Sequence, residues 1–330
     1  MAQIAKISAA NKAVKTMINP HFDNDQIAKL TARAAIASVA AALFLVCLKT
    51  WAQMQADSAA LLASLADSAL DVVASVVTLV SVRYAASPPD AEHRFGHGKA
   101  EALAGVFQAG VVAISSVFVA WTSLQRLLNP SELSAETAAM AVMIISILIT
   151  GALVSFQAWT VKQTGSIATK GDMKHYMSDF LTNIVALIGI GAAGVFGILW
   201  MDGAAGLFVA LWLAHGSWEI AREAADHLLD REASDATRDE IKTLAQSVKG
   251  LRRVHDLRTR MSGPWLHIQF HADVDPALTL GQAHVIIVEA EQRIRMAFPR
   301  ADIIIHPDPD DGSQHHGHPA FGKSGTELKT

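Results

Sequence analysis

One cysteine in 330 residues, Cys47, excludes an intrachain disulfide and a multi-cysteine zinc centre. Any bound metal must use His, Asp or Glu. Charge is also scarce. Charged residues make up 18% of the chain, against about 25% in a typical soluble domain, so some segment avoids water. Lys and Arg number 27 against 31 Asp and Glu, a net charge of −4. No basic surface argues for nucleic acid. A secretory signal is not visible: the first 30 residues carry Lys6, Lys12, Lys15 and Lys29 without a compact apolar core before a cleavage site. No His-Glu-x-x-His motif speaks for a zinc protease, and the Gly96–Lys99 stretch lacks phosphate-loop spacing, so transport would be secondary.

Long apolar runs are what the chain does have. Six stretches, near residues 28–50, 57–83, 100–128, 136–161, 176–201 and 203–222, predict six transmembrane helices. The runs Ala102 to Gln125, Thr137 to Val161 and Phe180 to Met201 hold no charge. Trp51, Trp121, Trp159 and Trp200 lie near predicted helix ends, as in an interfacial aromatic belt. The arm and the alternate loops gather Lys6, Lys12, Lys15, Lys29, Arg33, then Arg83, Arg94, Lys99, then Lys162, Lys170, Lys174. The opposite loops hold only Lys49 and Arg126. Both termini are therefore expected in the cytoplasm.

Charges crowd in after Arg222. The expected organisation is an N-terminal cytoplasmic arm (1–27), a six-helix membrane domain (28–222), a cytoplasmic domain (223–309) and a polar tail (310–330) expected to be disordered. Ser234 can cap a helix with apolar Ile241, Leu244, Ala245 and Val248, stopped by Gly250. A strand is expected near 254–260, a turn at Ser262-Gly263-Pro264, then an alternating strand. Leu266, Ile268, Phe270 and Ala272 share one of its faces; His267, Gln269, His271 and Asp273 share the other. A helix near 280–298 and a strand near 301–306 complete an α-β-β-α-β unit of α+β, metallochaperone-like class.

Asp67 and Asp71 fall mid-span in the second helix. His175 and Asp179 fall at the cytoplasmic start of the fifth, or within it if that helix begins near Asp172. Each pair is spaced i, i+4 and shares a helix face. Two mid-span aspartates cost roughly 5–7 kcal/mol together on insertion scales, and no Lys or Arg in the spans is placed to neutralise them. Opposed, the two faces would converge three carboxylates and an imidazole, a set suited to tetrahedral Zn²⁺ and open to Fe²⁺, Mn²⁺ or Cd²⁺. The loop Pro88-Pro89-Asp90-Ala91-Glu92-His93-Arg94-Phe95-Gly96-His97 offers Asp90, His93 and His97 as a second site, with Glu92 as a substitute ligand. The soluble region gathers His255, His271, His284, His306 and Asp308, a pattern for a binuclear zinc site, with His267 beside it. His315, His316 and His318 lie in the tail, read as a dangling polar segment.

These residues resemble the cation diffusion facilitator family, and within it the bacterial zinc and iron exporters, over about residues 30–309. The motifs that carry the resemblance are Asp67-x-x-x-Asp71, His175-x-x-x-Asp179, Phe95-Gly96-His97-Gly98-Lys99-Ala100-Glu101 and His255-Asp256-Leu257-Arg258-Thr259-Arg260. The resemblance implies a transport site at Asp67, Asp71, His175 and Asp179. It implies a loop site at Asp90, His93 and His97. It further implies a cytoplasmic binuclear site at His255, His271, His284, His306 and Asp308, with Asp308 bridging. Lys99 and Asp230 would form a charge pair between the membrane and cytoplasmic parts. A homodimer in the bacterial inner membrane, with no organic cofactor and no enzymatic activity, completes the expectation. The N-terminal arm lies outside the resemblance.

Ligand chemistry adds a mechanism. Zinc binds deprotonated carboxylates and neutral imidazole, so its binding expels protons. A site that then opens to an acidic exterior exchanges M²⁺ outward for H⁺ inward. His175 is the expected coupling residue, since an unperturbed imidazole titrates near about pH 6.5. The second and fifth helices would rock together against the others, and cytoplasmic metal would stabilise or regulate the dimer. The rival reading is a membrane-anchored metal sensor or scaffold without transport. It would leave the intramembrane aspartates without a task.

Overall fold

The computed structural model describes residues 24–56, 59–128, 137–196 and 200–310; side chains at 24 and within 55–64, 66–67, 137–139, 186, 189–196 and 201–202 lie outside the described set. The N-terminal arm and the tail, with His315, His316 and His318, lie outside it too. The chain divides into two compact units between Leu228 and Leu229.

Six long helices build the first unit: α1 (Asn24–Ala56), α2 (Ala59–Ala85), α3 (Ala100–Leu128), α4 (Thr137–Thr164), α5 (Ile167–Phe196) and α6 (Met201–Leu228). Five of them, all but α5, contain windows long and apolar enough among the described residues to cross a bilayer. Their outward faces carry large apolar side chains, among them Phe44, Leu70, Phe118, Leu148 and Phe208. Ala34, Ala74, Ala104 and Ala168 are buried where helices meet. Small residues at such contacts let backbones approach where no hydrophobic effect drives helices together. One close approach between α3 and α5 is at two glycines. A Cβ on Gly171 of α5 would lie 2.8 Å from the Gln108 Cβ and 3.8 Å from the Gly105 Cα of α3, and a Cβ on Gly105 would lie 2.6 Å from the Ile167 Cγ2.

Two helices run further than hydropathy indicates. α5 begins at Ile167, not near 176, and its first three turns carry Lys170, Asp172 and Lys174. These charges hide the turns from a hydropathy reading, yet Asp172 is fully buried by bonds to other helices. α6 continues to Leu228, past 222, and its last turns hold Glu223, which pairs with Lys170.

The second unit holds α7 (Asp235–Gln246), β1 (Arg253–Ser262), β2 (Trp265–Val274), α8 (Leu280–Ala297) and β3 (Ala301–Pro309). Ser234 caps α7 by accepting from the Thr237 N–H. Thr279 and Gln282 form a reciprocal capping box at the start of α8. Gly263, at φ +56°, turns β1 into β2. β1 and β2 pair antiparallel, and β3 returns through α8 to pair parallel with β2. One face of the sheet, with Ile268, Phe270 and Ile303, packs with Ile241, Ala245, Ile287 and Ile294 of the helices into a single core. That leaves the alternate face for chemistry.

Candidate metal centres

In the membrane unit, Asp71 of α2 and His175 of α5 meet, with Asp71 Oδ1 2.9 Å from His175 Nε2. Both are almost completely buried, at 3% and 4% exposure. Asp179, one turn beyond His175, brings a carboxylate oxygen so that all three ligand atoms lie within 4.8 Å of one another. His175 Nδ1 is buried without a hydrogen-bond partner among the described residues. Asp67 lies one turn before Asp71 on α2, but its side chain lies outside the described residues. A buried carboxylate–imidazole–carboxylate group of this kind can hold a divalent cation and can exchange it for protons.

The α2–α3 loop builds a second group. Asp90 Oδ1 lies 3.3 Å from His93 Nδ1 and Asp90 Oδ2 lies 3.3 Å from His97 Nε2. The two imidazole centroids are 4.7 Å apart, and Tyr84 packs on His97 at 4.4 Å. Gly96 makes the turn possible with φ +78°. The backbone N–H groups of His93 and Glu92 donate to Asp90 Oδ1 at 2.6 and 2.9 Å. The His93 bond, foremost, holds the Asp90 carboxyl below the usual range and keeps it an anionic ligand. Glu92 meets this group only through its backbone N–H. Asp90→Ala removes both the shared carboxylate and the acceptor that shapes the turn. It is expected to weaken zinc binding at the loop by at least about tenfold, read by calorimetry of the full-length protein as one weakened site. An unchanged set of sites would remove the loop from the metal centres.

The cytoplasmic unit aligns its histidines through strand register. His255 faces His271 across β1 and β2, and His271 faces His306 across β2 and β3. The next row is Arg253, Asp273 and Asp308. Asp308 Oδ2 lies 2.8 Å from His271 Nδ1 and 3.4 Å from His255 Nε2, while its Oδ1 lies 3.2 Å from His306 Nε2. Asp308 thus turns one oxygen to each side. The donor set fits a zinc ion: imidazole nitrogens and a carboxylate converge in a largely buried place, and His255, His271 and Asp308 offer ligand atoms within 4.8 Å. Asp273, 1% exposed, lies beside the group and was not among the expected ligands. Its Oδ1 lies 3.0 Å from His255 Nε2, and its Oδ2 accepts from Arg253 Nε at 2.7 Å. Its signal was there, two residues from His271 on the same strand face.

Not every expected ligand joins a group. His284 is exposed on α8, on the side away from Ala283, Ile287, Ala290 and Ile294, which face the core. His267 pairs with Asp302 at 3.0 Å, toward the other end of β2. Lys99 donates to the Leu228 carbonyl at 3.3 Å, and Asp230 lies 3.4 Å from Arg260 Nη1. One motif escaped the sequence reading: Gly317-x-x-x-x-Gly322-Lys323-Ser324 has phosphate-loop spacing. The residues directly before it, Asp310 to His316, are polar, so no apolar run leads straight into it as the motif requires, and it lies outside the described residues.

The helical unit and the sheet-containing unit, each with a group of side chains that could hold a metal, correspond to two known family domains. The model of the cation efflux transmembrane domain matches residues 35–229, and that of the cation efflux protein cytoplasmic domain matches residues 233–310. The chain belongs to the cation efflux family, the cation diffusion facilitators. Among its relatives, the cation-efflux pump FieF of Pectobacterium atrosepticum is 41% identical over 292 residues, covering 88% of this chain and 95% of that one. FieF of Klebsiella pneumoniae is 40% identical over 286 residues, covering 87% and 95%. A solved chain of CzrB in its zinc form matches 26% of this chain and 99% of its own, at 27% identity and TM-score 0.24. This is a family of multi-pass membrane transporters rather than a class of enzymes.

Proposed function

We propose that the protein exports divalent metal, zinc foremost and Fe²⁺, Cd²⁺ or Mn²⁺ as further substrates, from the cytoplasm in exchange for protons. The observation that carries this is the 2.9 Å approach of Asp71 to His175, both buried between α2 and α5, with Asp179 within ligand distance. Asp67 would complete a four-ligand substrate site. Metal entering from the cytoplasm displaces protons from these groups. When α2 and α5 rock to open the site outward, protons displace the metal. Alternating access then needs no nucleotide.

The reading extends to the other groups. Asp90, His93 and His97 hold a loop ion. His255, His271, His306 and Asp308 hold cytoplasmic metal, with the two oxygens of Asp308 suited to two ions, and His284 stands apart. Metal there stabilises a homodimer and reports cytoplasmic metal supply. Both termini lie in the cytoplasm of a bacterial cell, and the protein sits in its inner membrane, supported by the basic residues of the alternate loops and by the bacterial FieF relatives.

The test is metal uptake into proteoliposomes under an imposed pH gradient, comparing Zn²⁺, Fe²⁺, Mn²⁺ and Cd²⁺. Flux that follows the gradient and reverses with it supports antiport and ranks the substrates. Protein that binds zinc at the soluble unit yet gives no flux with any of the four supports the sensor reading instead.

A further inference from the structure

A fully buried carboxylate lies beside the transport group without belonging to it. Asp172 sits on α5 one turn before His175, at 0% exposure. Its Oδ2 accepts from Ser38 Oγ of α1 at 2.5 Å and from Gln157 Nε2 of α4 at 2.7 Å. Its Oδ1 lies 3.4 Å from Gln108 Nε2 of α3. Gln108 also donates to the Ala74 carbonyl and to Thr78 Oγ1 of α2, at 3.1 and 2.9 Å. Four helices therefore meet at this one acid, and Gln108 extends the network to a fifth, α2.

Its hydrogen-bond partners are all neutral. The two lysines that flank it on α5 are engaged elsewhere: Lys170 pairs with Glu223 of α6, and Lys174 Nζ lies 4.9 Å from the Trp212 ring centre of α6. The titratable groups around it are Asp71 from α2 and His175, Tyr176 and Asp179 from α5. The contacts from α1, α3 and α4 come from Ser38, Gln108 and Gln157, which do not titrate. A carboxylate in a membrane interior, paired with no cation, is costly and marks a functional group.

The cradle suits either protonation state. The Gln157 N–H and the Ser38 hydroxyl support the anion, while the two N–H groups of Gln108 are held by Ala74 and Thr78. The other end of the Gln157 carboxamide, Oε1, is buried without a hydrogen-bond partner among the described residues. Half a turn of that carboxamide replaces a donor with an acceptor, and the Ser38 hydroxyl can donate to the turned oxygen. An acid O–H on Asp172 would then find a carbonyl oxygen waiting.

We propose that Asp172 carries the coupled proton on the cytoplasmic side of the transport site. The proton displaced by entering metal forms an O–H bond on Asp172, and a carboxamide turns to accept it. The proton then passes to cytoplasmic water, which restores the carboxylate and the original hydrogen bonds. Asp172 binds no metal in this scheme. The inference rests on the antiport reading above.

Asp172→Asn is the test, in proteoliposomes loaded with zinc. The amide is nearly isosteric and its oxygen accepts from Ser38 and Gln157 as the carboxylate does, so the contacts with α1 and α4 are kept. Zinc/zinc exchange moves no net proton and is expected to persist in the variant. Flux driven by the pH gradient is expected to fall by about a hundredfold, the low end of what a positioned proton-transfer group contributes. Asp172→Glu, which keeps a titratable group, is expected to recover part of the driven flux. Driven flux at the wild-type level and pH profile in Asp172→Asn overturns the proposal. So does loss of exchange and driven flux together in folded protein, which makes Asp172 a structural clamp. If the wild type itself ignores the gradient, the antiport reading falls and takes this one with it.

Discussion

Asp71→Asn is expected to abolish metal flux while zinc still binds the cytoplasmic unit. Asn keeps the shape of the side chain and a carbonyl oxygen toward His175, so the helix contact survives. What it loses is the negative charge that a dehydrated divalent ion requires. Loss of an outer-shell partner alone costs about 10–100-fold in metal affinity. Loss of a carboxylate ligand should exceed about a hundredfold and bring flux in proteoliposomes to background. The scale of the effect follows from burial: at 3% exposure, water has little access to fill the missing coordination position. Unchanged flux in the variant would move the transport site elsewhere.

The second large effect is expected from Asp308→Ala. Asp308 is the common neighbour of His255, His271 and His306, at 3.4, 2.8 and 3.2 Å. Without it, the three imidazoles across β1, β2 and β3 have no shared anion to offset a cation's charge. A ligand at a hundred times its Kd stabilises the folded state by about 2.7 kcal/mol. For a unit of this size that raises the unfolding temperature by roughly 10 °C or more. Wild-type protein should show such a shift with zinc, removed again by a chelator, and Asp308→Ala should show almost none. The same zinc-induced shift in the variant would mean that the strand-register group is not the cytoplasmic metal site.

How far the sequence carried these conclusions depends on the range of the interaction. Pairs four apart on one helix, Asp67 with Asp71 and His175 with Asp179, could be read directly, because helix geometry alone puts them on one face. So could the loop group, whose ligands lie within eight residues. The cytoplasmic histidines were legible as a set, but membership depends on register. β2 alternation brings His271 and Asp273 to one face, and only pairing with β1 and β3 adds His255, His306 and Asp308. His284 stands outside this register, because its helix turns Ala283 inward and His284 out. Asp172 was the hardest to see. Its charge made the start of α5 look like loop, and its partners Ser38 and Gln108 lie 134 and 64 residues away.

The glycine contact between α3 and α5 has a mechanical meaning. Helices that meet through branched side chains interlock, and one must climb over the other's ridges to shift. At Gly105 and Gly171 each helix is notched, and the partner's side chain sits in the notch, Ile167 against Gly105 and Gln108 against Gly171. The two helices are keyed together like a mortise and tenon, and Asp172 lies one residue from the joint. A methyl group in either notch must push its neighbour aside, and the buried acid beside it would feel that movement first.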